Sequence, residues 1–594
     1  MDRDLPTKAP SGIAYKWIAL SNTTLGVLMA AINGTILIIS LPAIFRGIHV
    51  NPLVPSQTSL LLWVMLSFNV ATTILLVTFG RISDSFGRVR LYNVGFVVFT
   101  VGSILSFLTP GTGVAGEWQL IAFRFIQGIG GAFLFANSAA ILTDAFPANE
   151  RGFALGLNQV AAIGGSVIGL VLGGLLSAVN WRLVFLVNVP IGIVGTIWAY
   201  VALKEQATVR ERARLDPVGN LAFGLGVLGV LVGLTYGIIP YGAHPMGWSS
   251  PFVRTMIVGG VILLALFIWI EGRVSDPLFH LGLFRIRAFA AGNASGFLAS
   301  VARGGLQFMM IIWLQGIWLP LHGVSYVNTP LQAGIDTLPQ MLGFLVAGPV
   351  SGRLSDRFGA RWFGFAGMVI TALGFFLLGG LGADFGYWQF AAYIFLIGVG
   401  MGVFASPNSA AIMSSVPAEY RGAASGMRST FQNAGMMVSM GIFFTIVITG
   451  MNAHLPATMF RGLVQVGLPA TVAKGLSSLP PTATLFAALL GYNPMAHLVP
   501  QAVLGALPAV KAATVVGERF FPGLISAPFM RGLREVFLFS LAMSLVAAVA
   551  SLLRGGRYIH EERSPDESTP APTQGDTLPR AGGPALVADR PADD

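Results

Sequence analysis

The sequence contains no cysteine, which excludes a disulfide framework and thiolate metal centres. Charge is also scarce: Asp, Glu, Lys and Arg make up only 10% of 594 residues, too few to coat a soluble protein of this length. Seven histidines occur (His49, His244, His280, His322, His454, His497 and His560), and all are expected in loops or the tail, outside the long apolar runs. Neither HExxH nor the GxxxxGK[ST] phosphate loop is present. These absences argue against an ATP-driven pump and against an intramembrane protease or acyltransferase, whose chemistry calls for histidine or a metal cluster at the membrane.

What is present is apolar. Hydrophobic residues make up 54% of the chain, with a mean hydropathy of +0.74. Runs of roughly 20 residues, enough for a helix to cross about 30 Å of hydrocarbon, recur along the chain. We expect fourteen spans, near 17–41, 57–79, 91–109, 118–142, 153–177, 183–203, 218–238, 254–271, 289–318, 331–352, 362–381, 387–413, 423–449 and 532–553. The first run is long enough to be a span itself, so no cleavable signal is expected. The net charge of +10 is spent on topology rather than nucleic acid. With a cytoplasmic N-terminus, Lys204, Arg210, Arg212, Arg214, Arg273, Arg285 and Arg287 gather in inner loops, while outer loops hold few basic residues, such as Arg46 and Arg182.

One stretch occurs twice. Gly80–Arg90, GRISDSFGRVR, returns as Gly352–Trp362, GRLSDRFGARW, each time as a polar turn between apolar runs. Two further matches are collinear with it: NSAAI at Asn137 and at Asn408, and Pro147, Arg151, Gly152 and Gly156 with Pro417, Arg421, Gly422 and Gly426. Duplication accounts for all three. The expected organisation is therefore a cytoplasmic N-terminus (1–16), a first six-helix bundle (17–203), a basic loop with two inserted helices (204–288), a second six-helix bundle (289–553) and a disordered cytoplasmic tail (554–594). Asp216 and Pro217 are placed to start the first inserted helix. The second bundle includes an extracellular loop (450–530), which reads either as amphipathic helices over the outer leaflet or pore mouth or as a loose connector. Around the repeated turn, Gly80, Arg81, Asp84, Gly87, Arg88 and Asp356 could gate the inner mouth through charge pairs, or simply cap helices and anchor topology.

The turn GRISDSFGRVR resembles the loop signature of the major facilitator superfamily, and further stretches are similar to its fourteen-span drug:proton antiporters. RFIQGIGG from Arg124, WRLVFLVNVP from Trp181, NGTILIISLP from Asn33 and GSVIGLVLGG from Gly165 resemble motifs of spans 4, 6, 1 and 5. The resemblance implies an all-α polytopic fold of two six-helix bundles plus two inserted helices, alternating access, a proton gradient as energy source and no cofactor. It implies a multi-pass protein of a bacterial inner membrane, monomeric, with both termini cytoplasmic and a drug-like or amphiphilic substrate. It assigns Arg124, with Gln127 in the same motif, to coupling or substrate contact, the rival reading of Arg124 being a hydrogen-bond clamp to a neighbouring helix carbonyl, and Gly165, Gly169, Gly173 and Gly174 to close helix packing. Two departures matter. Asn33 stands where the family has an aspartate and cannot titrate. Leu170 replaces the usual proline of span 5.

Charges within spans are costly and point to function. Besides Arg124, these are Arg303 and Asp336, whose depths nearly coincide. They could form an ion pair across the second-half cavity, opened by substrate or by a proton on Asp336, or a purely structural pair. Arg428 could line the inner cavity or snorkel to the cytoplasm. Uncharged polar handles are Asn33, Gln159, Asn293, Gln307, Gln315, Gln340 and Gln432. Phe308, Met309, Met310, Trp313 and Met341 could line a plastic apolar pocket or be ordinary packing. The expected function is proton-coupled efflux of hydrophobic or amphiphilic compounds. The alternative is a carrier of anionic or lipid-like molecules with altered coupling, because embedded arginines outnumber Asp336.

Overall fold

A computed structural model describes residues 14–555 apart from 51–53, 148–149, 206–215, 243, 245, 275–276, 278 and 418–419. The side chains of Asp84, Gln159 and Asp356 lie outside the described residues, as do much of the basic loop and nearly all of the tail. Among the described residues the regular structure is helical, with one isolated bridge between Tyr241 and His244.

The long helices, in order, are α1 (Tyr15–Gly47), α2 (Pro55–Phe86), α3 (Arg88–Phe107), α4 (Gly113–Ala145), α5 (Arg151–Val179) and α6 (Leu183–Ala202). Next come α7 (Pro217–Gly237) and α8 (Pro251–Glu271), then α9 (Arg287–Leu321) and α10, which is split into Thr329–Asp336 and Leu338–Phe358. The last are α11 (Ala360–Gly379), α12 (Tyr387–Ser414), α13 (Arg421–Val466) and α14 (Phe520–Leu552). Thirteen helices among the described residues are long and apolar enough to cross a membrane; broken α10 is not among them. Exposed apolar stripes, such as Val94, Val97, Val101 and Ile104 on α3, recur at helical spacing and meet lipid. The chain is a multi-pass membrane protein.

Local chemistry fixes the ends. Proline opens α2, α7 and α8, where a missing N–H costs nothing. The Asp216 carboxylate caps α7, accepting from the Val218 and Gly219 amides at 3.1 and 2.9 Å. At the repeated turn, Gly87 and Gly359 take φ of +100° and +81°, which glycine adopts without the Cβ clash of other residues. Each donates its amide to a serine carbonyl, Ser83 or Ser355, at 2.9 Å.

Packing makes two bundles. In the first, α1 lies on α5, and α2 and α3 lie on α4; in the second, α10 and α11 lie on α12, and α14 lies on α11 and α13. The bundles meet where α5 touches α10 and α2 touches α13, and the pair α7 and α8 packs on itself and on α2.

Four features differ from the sequence expectation. Helix α13 runs 46 residues, continuing through Pro456 to Val466, and ends at Gly467, whose φ is +109°. It carries exposed His454, expected in a loop. Helix α14 begins at Phe520 rather than near 532. Helix α10 breaks at Thr337, since Pro339 cannot donate into a continuous ladder. Helix α4 starts at Gly113, which brings Glu117 inside it.

The segment 467–519 forms five short helices, each starting at or just after a proline: Ala470–Ser477, Pro481–Leu489, Pro494–Leu498, Gln501–Ala506 and Ala509–Val516. All nine residues of Pro481–Leu489 are buried. This helix is wedged among α2, α13, α14 and a π-helical stretch of α9, Ile312–Trp318. Neither a surface helix nor a loose connector describes it. We call this end of the molecule the cap end and the opposite one, with Gly87 and Gly359, the hairpin end.

Candidate functional site: a buried arginine network in the first bundle

Helix periodicity places Arg124 and Gln127, three residues apart, on the inward face of α4. Asn33 comes from α1, Ser103 from α3 and Asn188 from α6, and all five side chains are buried. Arg124 Nη1 donates to Asn33 Oδ1 at 2.9 Å and to Gln127 Oε1 at 2.6 Å. Gln127 Nε2 donates to Ser103 Oγ at 2.7 Å, and Asn188 Nδ2 reaches Asn33 Oδ1 at 3.4 Å. The guanidinium also lies 5.0 Å from the centre of the Phe68 ring of α2, a cation–π contact. Four bundle helices are thus tied to one cation on α4.

The network is incomplete. Arg124 Nε and Asn33 Nδ2 are buried without an acceptor. Among the described residues no carboxylate is bonded to Arg124, and the charge rests on amide oxygens and an aromatic face. Each hydrogen bond to a charged group contributes about 1.5–3 kcal/mol, and an unmet buried donor costs about 1–3 kcal/mol. Such a site can accept an anion or a polar substrate group, or change partners.

Beside it runs the glycine stripe. Gly165 lies against Leu28, Gly169 against Ile32 and Thr35, and Gly173 against Ile36 and Ile39, all on α1. Thr35 Oγ1 donates to Ser166 O at 3.1 Å and Ser40 Oγ to Gly173 O at 3.0 Å. Gly174 meets Leu331 of α10, and buried Leu170 presents its carbonyl to Gly334 there. Helix α5 therefore holds α1 on one face and the second bundle on another.

At the hairpin end, Arg88 Nη1 pairs with both oxygens of Asp144, at 2.8 and 2.7 Å. Glu205 accepts from the Arg88 and Val89 amides, at 3.1 and 2.9 Å. Arg81 is half-buried nearby, and Gly80 lies against Ala136.

Asn33, Arg124 and Gln127 are therefore brought together, but Arg303 and Asp336 are not. Asp336 Oδ1 accepts from Gln332 Nε2 at 2.9 Å and Oδ2 has no partner. Arg303 ends the first helical piece of α9, and no ion pair joins it to Asp336. Arg428 does not snorkel: its Nη1 reaches Ser409 Oγ of α12 at 3.1 Å and Gln432 Oε1 at 3.4 Å. Phe308, Met309, Met310 and Trp313 are solidly packed, with Trp313 against Phe385 and Phe390.

Sequence reasoning missed three residues. Glu117 is completely buried with neither oxygen partnered; one residue of error at the start of span 4 hid it. Asn188 lay within the quoted WRLVFLVNVP motif. Arg554, read as the start of the tail, is buried and donates Nη2 to Asn408 Oδ1 and, at 3.4 Å, to Ser295 Oγ. A single arginine following a long apolar run gives no signal of turning inward.

Apolar spans gathered into two duplicated bundles around an interior polar network are the architecture the sequence resemblance implies, that of a membrane transporter. Comparison with known proteins agrees: the Major Facilitator Superfamily profile matches residues 23–339 and 301–473. The chain belongs to that superfamily. Among its relatives, the tetracenomycin C resistance and export protein of Streptomyces glaucescens is 26% identical over 95% of this chain and 98% of its own length. The multidrug resistance protein Stp of Mycobacterium tuberculosis is 29% identical, covering 75% and 78% of the two chains. The riboflavin transporter RibZ of Clostridioides difficile is 28% identical over 72% and 87%. A bacterial homolog of the human lysosomal transporter Spinster shares the fold, with a TM-score of 0.53, 14% identity and coverage of 92% and 98%.

Proposed function

We propose that this transporter is a proton-coupled exporter of amphiphilic small molecules working by alternating access. The observation that carries the reading is the Arg124 network: a buried cation with two amide-oxygen partners, a spare donor and ties to four other helices. A substrate group or a change of charge nearby can trade against those bonds and so shift the bundle between arrangements. Export, rather than uptake, draws on the relatives named for resistance and export. The hairpin end is then cytoplasmic, with the chain in a bacterial inner membrane, acting as a monomer. The energy source is the proton gradient, with no cofactor.

A second reading is favoured by one detail. Among the described residues Arg124 is bonded to amide oxygens and to no carboxylate, and Asn33 cannot supply a charge, so this arrangement favours anionic or electron-rich substrates over cations. Matched cationic and anionic amphiphiles in vesicles, with and without a pH gradient, test both. Gradient-driven movement of either supports coupled transport; preferential anion flux selects the second reading; no response to the gradient removes proton coupling.

A further inference from the structure

We propose that Glu117 is the proton-exchanging carboxylate of this transporter and that Arg124 is its alternate partner; the proposal rests on the proton-coupled reading above. Glu117 is fully buried, and both its oxygens lack any hydrogen-bond partner. Among the described residues no other buried carboxylate is left without a partner on either oxygen. Asp336 has Gln332, Asp216 caps α7 and Glu271 accepts from the Phe279 amide.

Two influences oppose each other at Glu117. Burial away from water penalises the carboxylate. The start of α4, just over one turn away at Thr112, contributes the partial positive charge of a helix N-terminus, which favours it. A carboxyl so placed changes state when its neighbours change. At the same end of the first bundle the titratable and charged groups are exposed His49, which follows the Ile48 that packs on the start of α4, and Arg46, Arg182 and Glu518. Arg46 of α1 donates Nε to Pro42 O at 3.2 Å, and Arg182, before α6, donates Nη2 to Thr109 O at 2.8 Å. Helices α2 and α3 offer no charge there, since Arg81, Arg88 and Arg90 stand at the hairpin end.

The buried cation on the same helix is Arg124, seven residues further along α4. Seven residues is nearly two whole turns, so both side chains share a face, about 10 Å apart along the axis. That is within the combined reach of an extended arginine and glutamate. Arg124 Nε has no acceptor. With Glu117 protonated, Arg124 keeps Asn33 and Gln127, as seen. When the Glu117 O–H bond breaks and the proton leaves to one aqueous phase, the buried carboxylate draws the guanidinium toward the cap end. Asn33 on α1 and Gln127 are then released. Protonation from the other phase restores the network, with no oxidation or reduction at any step.

Infrared difference spectra of the full-length protein in lipid vesicles, recorded as pH is stepped, read the carboxyl directly without a substrate. The wild type is expected to convert a protonated-carboxyl C=O band into carboxylate as pH rises. Glu117→Gln should remove that band while leaving thermal unfolding unchanged, and Glu117→Asp should keep it at a shifted frequency. A wild type with no such titration, or a Glu117→Gln protein that retains the full band, overturns the proposal. Flux assays with tetraphenylphosphonium and with anilinonaphthalene sulfonate separate the two levels. If a pH gradient drives either probe in the wild type, Glu117→Gln should lower that flux at least tenfold, and flux at the wild-type rate would sink this proposal while sparing the export reading. If the band titrates but no probe follows the gradient, the export reading fails and the proton site stands.

Discussion

At the hairpin end of the first half, Arg88 clasps Asp144, whereas the matching positions of the second half hold Ala360 and Ser415. The inverse holds nearly two turns deeper. In the first half Asn158 of α5 donates to Ser138 of α4 at 2.9 Å; in the second, Arg428 of α13 donates to Ser409 of α12 at 3.1 Å. Asn158 and Arg428 occupy equivalent positions, as do the two serines. The duplicated scaffold thus keeps a cross-helix link while moving the charge that makes it. Glycine has moved as well. The stripe Gly165, Gly169, Gly173 on α5 corresponds to Gly435, Ser439, Phe443 on α13, and the space is returned from the other side by Gly304 and Gly305 on α9. Gly305 lies against Phe443, and its amide donates to Ser439 Oγ at 2.9 Å. The cost is continuity: α9 breaks at those two glycines, while α1 runs straight through.

This asymmetry can be broken experimentally. The largest effect is expected at the buried cation that has no counterpart in the second half, where Phe395 takes its place. Arg124→Ala removes two charge-assisted bonds, and at about 1.5–3 kcal/mol each the efflux rate in vesicles should fall roughly a hundredfold or more. Arg428→Ala, which loses one cross-helix bond at 3.1 Å and a longer one to Gln432 at 3.4 Å, should cost less, roughly ten- to a hundredfold. Equal losses at both sites would erase the functional distinction between the halves.

Next in size is the exchange of glycine. Gly169→Val forces a branched side chain into Thr35 and Ile32, and overpacking of about 1–3 kcal/mol should lower the thermal midpoint in detergent by several degrees. Ser439→Ala should shift it far less, losing one hydrogen bond of about 1 kcal/mol. A smaller effect is expected from Asp336→Asn. Because Asp336 meets Gln332 and not Arg303, gradient-driven efflux should remain within about threefold of wild type, the loss of one modest hydrogen bond; abolition would restore Asp336 to the coupling role. The smallest concerns the surface clasp. Arg88→Ala should cost about 0.2–1 kcal/mol, as exposed pairs do, and Ala360→Arg with Ser415→Asp should return no more than that to the second half.

How much of this was legible beforehand depended on the kind of signal. Spans, duplication and the left-handed glycines of both turns follow from apolar run length and from repeated GRxSDxFG spelling, both local properties. The meeting of Asn33, Arg124 and Gln127 was half legible, since a helical period pairs Arg124 with Gln127 but only tertiary packing brings α1 to α4. The proposed link between Arg303 and Asp336 used depth alone. Depth fixes one coordinate of three, and the break at Thr337 changed how α10 presents Asp336. Glu117 and Arg554 sit at the ends of apolar runs, where a boundary error of one or two residues separates a surface charge from a buried one.

The nine-residue helix Pro481–Leu489 also sets an order of assembly. It is synthesised after α13 and before α14, yet its seat is built from α2, α9, α13 and α14 together. At about 1.5 Å per residue it is less than half the thickness of the bilayer, so it cannot be stored in the membrane as a span of its own. Its apolar surface is therefore covered in two stages, first by α2, α9 and α13, which precede it in the chain, and then by α14, which follows it.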